Sequence, residues 1–324
     1  MLDQSAATLT ADAADAQPLA PDAARAATLV DTPAPDAATP DAATPDAAAP
    51  ARRRAALSPS RAKDYMQCPL LFRFRTVDRL PEPPSPAAVK GSLVHAVLEH
   101  LFDLPAAQRT EDSAHRLLDP QWTELQARRP EVLSMFTGPE DLGGWLAQAR
   151  SLLTQYFQME NPRRLEPAER ELLVETELRS GVLLRGFVDR IDVAPNGAVR
   201  VVDYKTGKSP RPRFADSALF QMRFYGLMLW RLHGVVPARL QLVYLGDGRT
   251  LAHDPQEVEL VALERELDDL WRTIAASART GDFAPKTSRL CDWCSFQAHC
   301  PAFGGVVPEL PADGVAHLLS VQAG

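Results

Sequence analysis

The sequence lacks any long apolar run. No stretch of its 324 residues approaches the ~18 consecutive apolar residues that a membrane span needs, and its first residues do not join a basic start to an apolar stretch. A complete G-x-x-x-x-G-K-[ST] loop is also missing. We therefore expect a cytoplasmic protein with no membrane partner and no ATP-binding site.

An excess of positive charge is missing as well. Residues 1–50 hold eight Asp and one Arg, so they account for the whole formal charge of −7, and the other residues balance. This balance excludes nucleic-acid binding by bulk charge alone. The same segment is built from near-repeats of Pro-Asp-Ala-Ala-Thr with few large apolar side chains, a composition that cannot offset the entropy of ordering. We expect a disordered acidic tail over residues 1–55.

The remaining chain has the hydrophobic periodicities of a mixed α and β protein. A first helix is predicted to begin after the N-cap residue Ser58. Helical spacing also covers 87–104, 111–160, 215–233 and 256–280, and the range 111–160 is broken at Pro120, Pro130 and Pro139. Strand-like segments cover 171–178, 183–193, 199–205 and 239–245. This order predicts an α/β domain over 56–304, with a helical insertion at about 105–165, a cysteine-bearing segment at 285–304 and a flexible tail at 305–324.

The loop between the second and third strands sets their register. A two-residue Asn196-Gly197 turn and a three-residue Pro195–Gly197 loop both fit the sequence. Pro195 favours the longer loop, because its fixed φ suits the first position of a type I turn, with Gly197 left-handed. In that register Asp189 lies directly opposite Asp203, and alternation puts Lys205 on the face of Asp203.

Two facing carboxylates destabilise a sheet unless a cation lies between them or one of them is protonated. Carboxylate oxygens are the ligands of Mg²⁺ or Mn²⁺, and such an ion lowers the pKa of a water and stabilises charge on a phosphate. A nearby ammonium group orients that water or neutralises the developing charge. Asp189, Asp203 and Lys205 therefore indicate phosphodiester hydrolysis; an ordinary surface Asp-Lys pair is the alternative.

The four cysteines indicate a metal site. Cys291, Cys294 and Cys300 form a C-x2-C-x5-C pattern and Cys68 lies far upstream, with no cysteine left over. Four thiolates suit either a tetrahedral Zn²⁺ or a [4Fe–4S] cluster, and the spacing does not separate the two. Disulfides are disfavoured in a cytoplasmic setting. Trp293 and Phe296 are expected to shield the group or to pack beside it.

Several motifs together resemble the PD-(D/E)XK nuclease superfamily, in particular its RecB-like exonuclease branch with the AddB-type nuclease modules. They are, in chain order, Leu57-Ser-Pro-Ser60, Cys68-Pro69, Gly91-Ser-Leu-Val-His95, Gly186-Phe-Val-Asp189-Arg190-Ile-Asp192, Val202-Asp203-Tyr204-Lys205-Thr206-Gly207 and Gln221-Met-Arg-Phe-Tyr225. The resemblance runs from about residue 56 to 304. It implies a restriction-endonuclease-like core, a mixed central sheet flanked by helices, whose N- and C-terminal segments are joined by an iron–sulfur cluster.

The resemblance also implies roles for individual residues. Asp189, Asp203 and His95 would hold the metal ion, and Lys205 would be the catalytic lysine. Gln221 and Tyr225, four residues apart on one helical face, would brace the site or contact DNA. Glu175 is a weaker acidic candidate, since Glu177 shares its strand face. Val188 stands where the motif's name has proline, a common departure in this branch.

For the cysteines, the resemblance favours a structural [4Fe–4S] cluster on Cys68, Cys291, Cys294 and Cys300, with Zn²⁺ as the alternative. The function implied is a Mg²⁺- or Mn²⁺-dependent exonuclease acting on single-stranded DNA or DNA ends in repair or recombination, with a helicase or repair protein as partner. A catalytically silent iron–sulfur module that binds DNA and tethers a helicase is the competing hypothesis. The first helices add DNA-contact candidates, with cations and aromatics interleaved: Arg61, Lys63, Arg73, Arg75 and Arg79 with Tyr65, Phe72 and Phe74.

Overall fold

The computed structural model describes residues 54–322. The expected acidic tail lies outside this range except for its last two residues. Within the described range, no helix combines the length and the apolar character needed to cross a bilayer.

The described chain forms eight α-helices and five strands. The helices are α1 (Pro59–Gln67), α2 (Pro69–Phe72), α3 (Pro86–Leu101), α4 (Glu111–Arg128), α5 (Pro139–Met159), α6 (Ala215–His233), α7 (Glu257–Thr280) and α8 (Ala312–Leu319). The strands are β1 (Glu169–Glu177), β2 (Leu183–Val193), β3 (Val199–Lys205), β4 (Arg239–Tyr244) and β5 (Arg249–His253). A π-helical turn, Arg73–Val77, extends α2.

The five strands form one mixed sheet in the order β1-β2-β3-β4-β5. The β3–β4 pair is parallel and the other three pairs are antiparallel. Helix α6 makes the crossover between β3 and β4, as a parallel connection requires. Apolar side chains of α6 and α7 cover one face of the sheet, and those of α3, α4 and α5 cover the other. The predicted mixed sheet flanked by helices is thus confirmed.

The hairpin between β2 and β3 has the predicted three-residue loop. Gly197 has φ of 82°, and the amide N–H of Ala194 donates to the carbonyl of Ala198 at 2.9 Å. The strands pair in the predicted register from Val193↔Val199 to Arg190↔Val202. The next pair in this register is Asp189 opposite Asp203.

The two ends of the described chain meet. Leu57 forms an isolated parallel bridge with Leu184, along the edge of β2 that β3 does not reach. Arg54 donates from Nη2 to the carbonyl of Val321 at 2.6 Å and from Nε to the carbonyl of Ser320 at 3.2 Å. The segment expected to be a flexible tail at 305–324 therefore contains α8, whose Leu318 is buried in the core.

Two other differences from the sequence prediction concern local elements. Pro120 lies inside α4 rather than ending it, on the solvent side of the helix. Strand β5 was not predicted; it is a short edge strand whose side chains are exposed or half-buried. An edge strand buries no apolar face, so it has no strong hydrophobic alternation to reveal it.

Candidate active site

Three neighbouring strands bring three carboxylates together. In the β1–β2 ladder the pairs Arg170↔Arg190 and Leu172↔Val188 flank the position where Glu171 faces Asp189. On the other side of β2, the pairing with β3 ends at Arg190↔Val202, and Asp203 lies one residue further along β3, where its charge acts on Asp189. Acidic side chains thus stand in a row across β1, β2 and β3. Like charges placed directly opposite each other destabilise a sheet, so the row needs a positive partner.

The backbone is distorted where this row crosses β1 and β2. Glu171 has φ of 43°, in the left-handed region that non-glycine residues rarely adopt. On β2, Val188 and Ile191 pack into the same core cluster although they are three residues apart. Strict alternation of side chains therefore breaks at Asp189, and both acids lie at a local bend of their strands.

Asp203 is the first member of a chain of polar contacts that runs out to Tyr225. Lys205 Nζ lies 2.5 Å from Asp203 Oδ2 and donates to Gln221 Oε1 at 3.1 Å. Gln221 Nε2 donates to Asp203 Oδ1 and to the Tyr225 hydroxyl, both at 2.9 Å. Asp203 is 1% exposed, and its Oδ2 has no partner with hydrogen-bond geometry. Gln221 thus fixes the carboxylate of Asp203 and the hydroxyl of Tyr225 with respect to each other.

Gly186 makes room for Tyr225. A Cβ at Gly186 would lie 2.7 Å from Tyr225 Cε1, closer than side-chain carbons approach in folded proteins. The glycine therefore lets the tyrosine ring lie directly against the backbone of β2. Burial and then the charge of Asp203 raise the pKa of Tyr225, so its hydroxyl keeps its proton at neutral pH.

His95 reaches the carboxylates from α3. Its Nε2 lies 2.8 Å from the carbonyl oxygen of Tyr204, which can only accept, so Nε2 is the donor. Nδ1 then faces Asp189 Oδ2 at 3.5 Å and Glu171 Oε1 at 3.6 Å. In a metal-binding histidine, a hydrogen bond from the ring nitrogen that does not bind the metal fixes the tautomer. In the neutral ring the lone pair of Nδ1 points toward the acids.

Burial and neighbouring charges shift the pKa values of both Asp189 and His95. Burial, and then the negative charge of Asp203, raise the pKa of Asp189 to about 7. Burial opposes charge on His95, but the charges of Asp189, Asp203 and Glu171 outweigh it and raise the pKa of the imidazole to about 9. The backbone N–H of Tyr204 donates to Asp189 Oδ2 at 2.7 Å and holds that carboxylate in place.

The donor set fits a hard divalent cation. Within the part of the chain that the structure describes, one group of potential metal ligands lies with all its ligand atoms within 4.8 Å of one another: His95, Glu171 and Asp189. Two carboxylates and an imidazole suit Mg²⁺ or Mn²⁺ better than a soft metal. The sequence predicted His95, Asp189 and Asp203 as ligands and did not single out Glu171. Asp203 is instead paired with Lys205.

The acidic residue predicted on β1 is also different. Glu175 is paired with Arg185, and Glu177 with Arg54 at 3.2 Å, so both are engaged away from Asp189. Glu171 is the β1 acid that reaches the site. Periodicity could not identify it, because the bend at Glu171 breaks the alternation on which such reasoning depends. Its position opposite Asp189 in the β1–β2 pairing is the signal that could have found it.

The aromatic side chains proposed as stacking surfaces are core residues. Tyr65, Phe72 and Phe74 are all buried in the main hydrophobic cluster. Arg73 is paired with Asp78, and Arg75 with Asp64 and Glu82. The apolar residues of the first helices therefore pack in the core and do not form a stacking surface. Arg79 is exposed but does not line the cleft beside Gln221 and Tyr225, which Arg61 and Lys63 do line.

The four cysteines line one cavity between α2 and the C-terminal segment. Backbone N–H groups donate to two of the sulfurs, from Lys286 to Cys68 Sγ at 3.4 Å and from Ser288 to Cys291 Sγ at 3.3 Å. No three of the four sulfurs lie within 4.8 Å of one another in residues 54–322. Phe296 is buried beside Phe74, whereas Trp293 is exposed.

Comparisons with known proteins agree with this geometry. A family model described as the PD-(D/E)XK nuclease superfamily matches residues 56–301. The chain is 24% identical to the Gene 69 protein of Mycobacterium phage D29 over 273 residues, which cover 76% of this chain and 96% of that protein. It is 23% identical to the Gene 69 protein of Mycobacterium phage L5 over 287 residues, with the same coverage of 76% and 96%.

Proposed function

The chain belongs to the PD-(D/E)XK nuclease superfamily, and on that premise we propose that it is a Mg²⁺- or Mn²⁺-dependent exonuclease that cuts single-stranded DNA or DNA ends during repair or recombination. The nuclease module spans residues 56–304 in this proposal. The observation that carries it is the row of carboxylates across three strands beside a single lysine. We assign the metal to His95, Glu171 and Asp189, with Asp203 beside them.

A divalent ion at these ligands would activate a water and neutralise charge on the scissile phosphate. The protein's own groups do the rest of the work. Lys205, held between Asp203 and Gln221, donates to an oxygen on which negative charge develops during attack. Tyr225 accepts a hydrogen bond from Gln221, which leaves its O–H directed to a further acceptor such as a phosphate oxygen. His95 positions Asp189 and Glu171 from the other side.

We further assign the chain to the RecB-like branch, with a structural [4Fe–4S] cluster on Cys68, Cys291, Cys294 and Cys300. The four thiols line a common cavity, and backbone N–H groups donate to the sulfurs of Cys68 and Cys291, as they do to the sulfurs of iron–sulfur sites. A helicase partner is proposed from the resemblance alone.

Digestion of labelled DNA tests the catalytic proposal. We expect the full chain to degrade a single-stranded oligonucleotide with Mg²⁺ or Mn²⁺ and not with EDTA. Replacing Asp203→Asn or Lys205→Ala should lower the rate at least about 100- to 1,000-fold, the usual effect of losing one group that stabilises transition-state charge. Strands labelled at the 5′ or 3′ end, closed circles and duplexes, compared side by side, show whether an end is required.

The matched control is Asp254→Asn, which removes an exposed carboxylate paired with Arg239 at the far end of β4. It should leave digestion unchanged. Digestion that persists in Asp203→Asn or Lys205→Ala would reject the proposed mechanism. Binding of DNA without any digestion by the unaltered chain would instead favour a catalytically silent binding module. Anaerobic purification tests the cluster separately, because an iron–sulfur protein is brown and a zinc protein is colourless.

A further inference from the structure

A second, basic cleft adjoins the carboxylates. It has a volume of about 510 Å³ and lies between α1, β2 and α6. Its lining includes Arg61, Lys63 and Arg185 but no Asp or Glu among residues 54–322. Gln221 and Tyr225, which contact Asp203 and each other, form the wall that it shares with the carboxylate site. An anionic chain bound in this cleft would therefore continue into the site of phosphodiester cleavage.

Lys63 is the cation of this cleft that has no hydrogen-bond or ion-pair partner in residues 54–322. Arg61 donates to the carbonyl of Ala56 at 2.6 Å, and Arg185 is paired with Glu175. Lys63 forms no hydrogen bond or ion pair with residues 54–322; its ammonium lies 5.9 Å from the centre of the Phe220 ring. Burial and then the charge of Lys205 lower its pKa, so the two ammonium groups are close enough to repel each other. A cation without a carboxylate partner, next to further positive charge, favours a bound anion.

The cleft also has an exposed aromatic wall. Phe187 lines it and is 55% exposed, although it lies in the interior of β2, two residues from Asp189. Its cross-strand partner Leu173 is also exposed, so the two form an apolar patch beside the bend of β1. A large apolar side chain left in water next to a row of catalytic groups has no packing role in the described chain. Exposed aromatic rings beside cationic grooves are the means by which proteins stack unpaired bases.

We propose that this cleft is a subsite for unpaired nucleotides next to the scissile phosphate, where Lys63 contacts a backbone phosphate and Phe187 stacks on a base. The inference rests on the proposed function and adds a source of strand selectivity to it. In a duplex both faces of each internal base are covered by its neighbours, so the ring of Phe187 can stack only where a strand is single or frayed. The ammonium of Lys63 contributes affinity without reading sequence.

Binding of a fluorescent 15-nucleotide single strand, with Ca²⁺ in place of Mg²⁺ to prevent digestion, tests both contacts. Phe187→Ala should weaken binding about tenfold, because stacking on a protein aromatic contributes about 1–3 kcal/mol per base. Phe187→Trp should retain it. The same strand made with abasic sites should bind the unaltered chain and Phe187→Ala equally, since it offers no base to stack on. Phe187→Ala should not change the dependence of binding on salt.

Lys63→Gln should act in a different way. Losing one phosphate contact to a single strand lowers the slope of log K against log salt by about 0.7, on the normal and on the abasic strand alike. Arg279→Gln on the exposed end of α7 is the matched control and should leave the slope unchanged. Circular dichroism of each variant verifies that it is folded.

The outcomes separate the subsite from the proposed function. If Phe187→Ala binds the normal strand as the unaltered chain does, or loses equal affinity on the abasic strand, stacking is wrong. If Lys63→Gln keeps the salt slope, the phosphate contact is wrong. Both results leave the nuclease proposal standing as long as the unaltered chain digests DNA. An unaltered chain that neither binds nor digests DNA overturns the nuclease proposal and the subsite together.

Discussion

Adjacent residues of the same two strands build two polar clusters of opposite character. In the first, Asp189 and Asp203 lie close to Glu171, and Lys205 and His95 are the cationic groups in contact with these acids. In the second, the next residue of β2, Arg190, is paired with the carboxylates of Glu160 and Asp192. The first cluster we call the catalytic cluster and the second the arginine cluster.

The arginine cluster is satisfied from within. Arg190 is 1% exposed and forms a bidentate salt bridge with Glu160, donating from Nη1 at 2.7 Å and from Nη2 at 2.9 Å. Asp192 lies 3.1 Å from its Nε, and Arg200 covers Asp192 from outside at 2.8 Å. The hydroxyl of Tyr204 donates to Glu160 at 3.1 Å. The helix–sheet packing of the insertion is anchored at this point.

The difference indicates which cluster is structural and which is functional. Carboxylates that are paired with an arginine of the same chain are neutralised on folding and need no bound ligand. Carboxylates that lie together with too little positive charge repel each other, and a bound cation relieves this repulsion. Such clusters with perturbed pKa values are typical of active sites. The raised pKa of Asp189 is found on the catalytic side.

The largest effect on stability should come from the arginine cluster. Arg190→Gln leaves the half-buried carboxylate of Glu160 without its guanidinium partner, while Asp192 keeps Arg200, so we expect the free energy of unfolding to fall by about 3 kcal/mol. Urea denaturation measures this change. Arg239→Gln, which breaks an exposed pair with Asp254, is the control and should cost less than about 1 kcal/mol. Equal losses in the two variants would contradict the view that Arg190 anchors the insertion.

The catalytic cluster should respond to metal instead. Mn²⁺ at about 100 times its dissociation constant should stabilise the unaltered chain by about 2.7 kcal/mol, because only the folded chain assembles His95, Glu171 and Asp189. EDTA should reverse the effect. In Asp189→Asn the stabilisation should disappear, while Asp254→Asn should keep it. Thermal denaturation with and without MnCl2 gives the answer, and Mn²⁺ stabilisation that survives Asp189→Asn would place the ion elsewhere.

The two acids of β1 sharpen the comparison further. Glu171→Gln should lower the rate of DNA digestion roughly 10- to 100-fold, the usual cost of disturbing the immediate surroundings of a bound metal. Glu175→Gln, four residues along the same strand but paired with Arg185, should change the rate less than about threefold. Digestion assays under identical metal concentrations compare them. A larger loss in Glu175→Gln than in Glu171→Gln would exclude Glu171 from the site.

The smallest effect concerns the positioning of Tyr225. Gly186→Ala introduces a methyl group 2.7 Å from the tyrosine ring, so the ring must shift by a fraction of an ångström, and we expect the rate to fall about three- to tenfold. Gly143→Ala, where nothing lies within 4 Å, should leave the rate unchanged. Digestion kinetics of the two variants test this expectation. An unchanged rate in Gly186→Ala would show that Tyr225 does not need its present position.

The features that could be predicted from the sequence depend on local rules that the fold obeys. Pro195 and Gly197 determine the hairpin loop, the loop determines the register, and the register brings Asp189 and Asp203 face to face. Each step uses conformational preferences of single residues and the two-residue repeat of a strand. Helix α6 and strand β2 follow from the same regularities, because their apolar positions face the same core.

The features that escaped prediction are those where tertiary contacts override local preference. Glu171 reaches the metal group because β1 bends at a left-handed residue, which no propensity favours. Pro120 stays within α4, since packing of the flanking turns on α3 and α5 outweighs the lost hydrogen bond. Phe72 and Phe74 were placed on a DNA surface because periodicity does not distinguish which partner covers an apolar face.

The contact of Arg54 with the carbonyls of Ser320 and Val321 brings the first and the last described residues side by side. A short peptide linker could therefore join residue 54 to residue 321 without crossing the substrate side of the sheet. New chain termini could then be opened at the exposed turn before α5, near Gly138, to give a circular permutant with every strand contact retained.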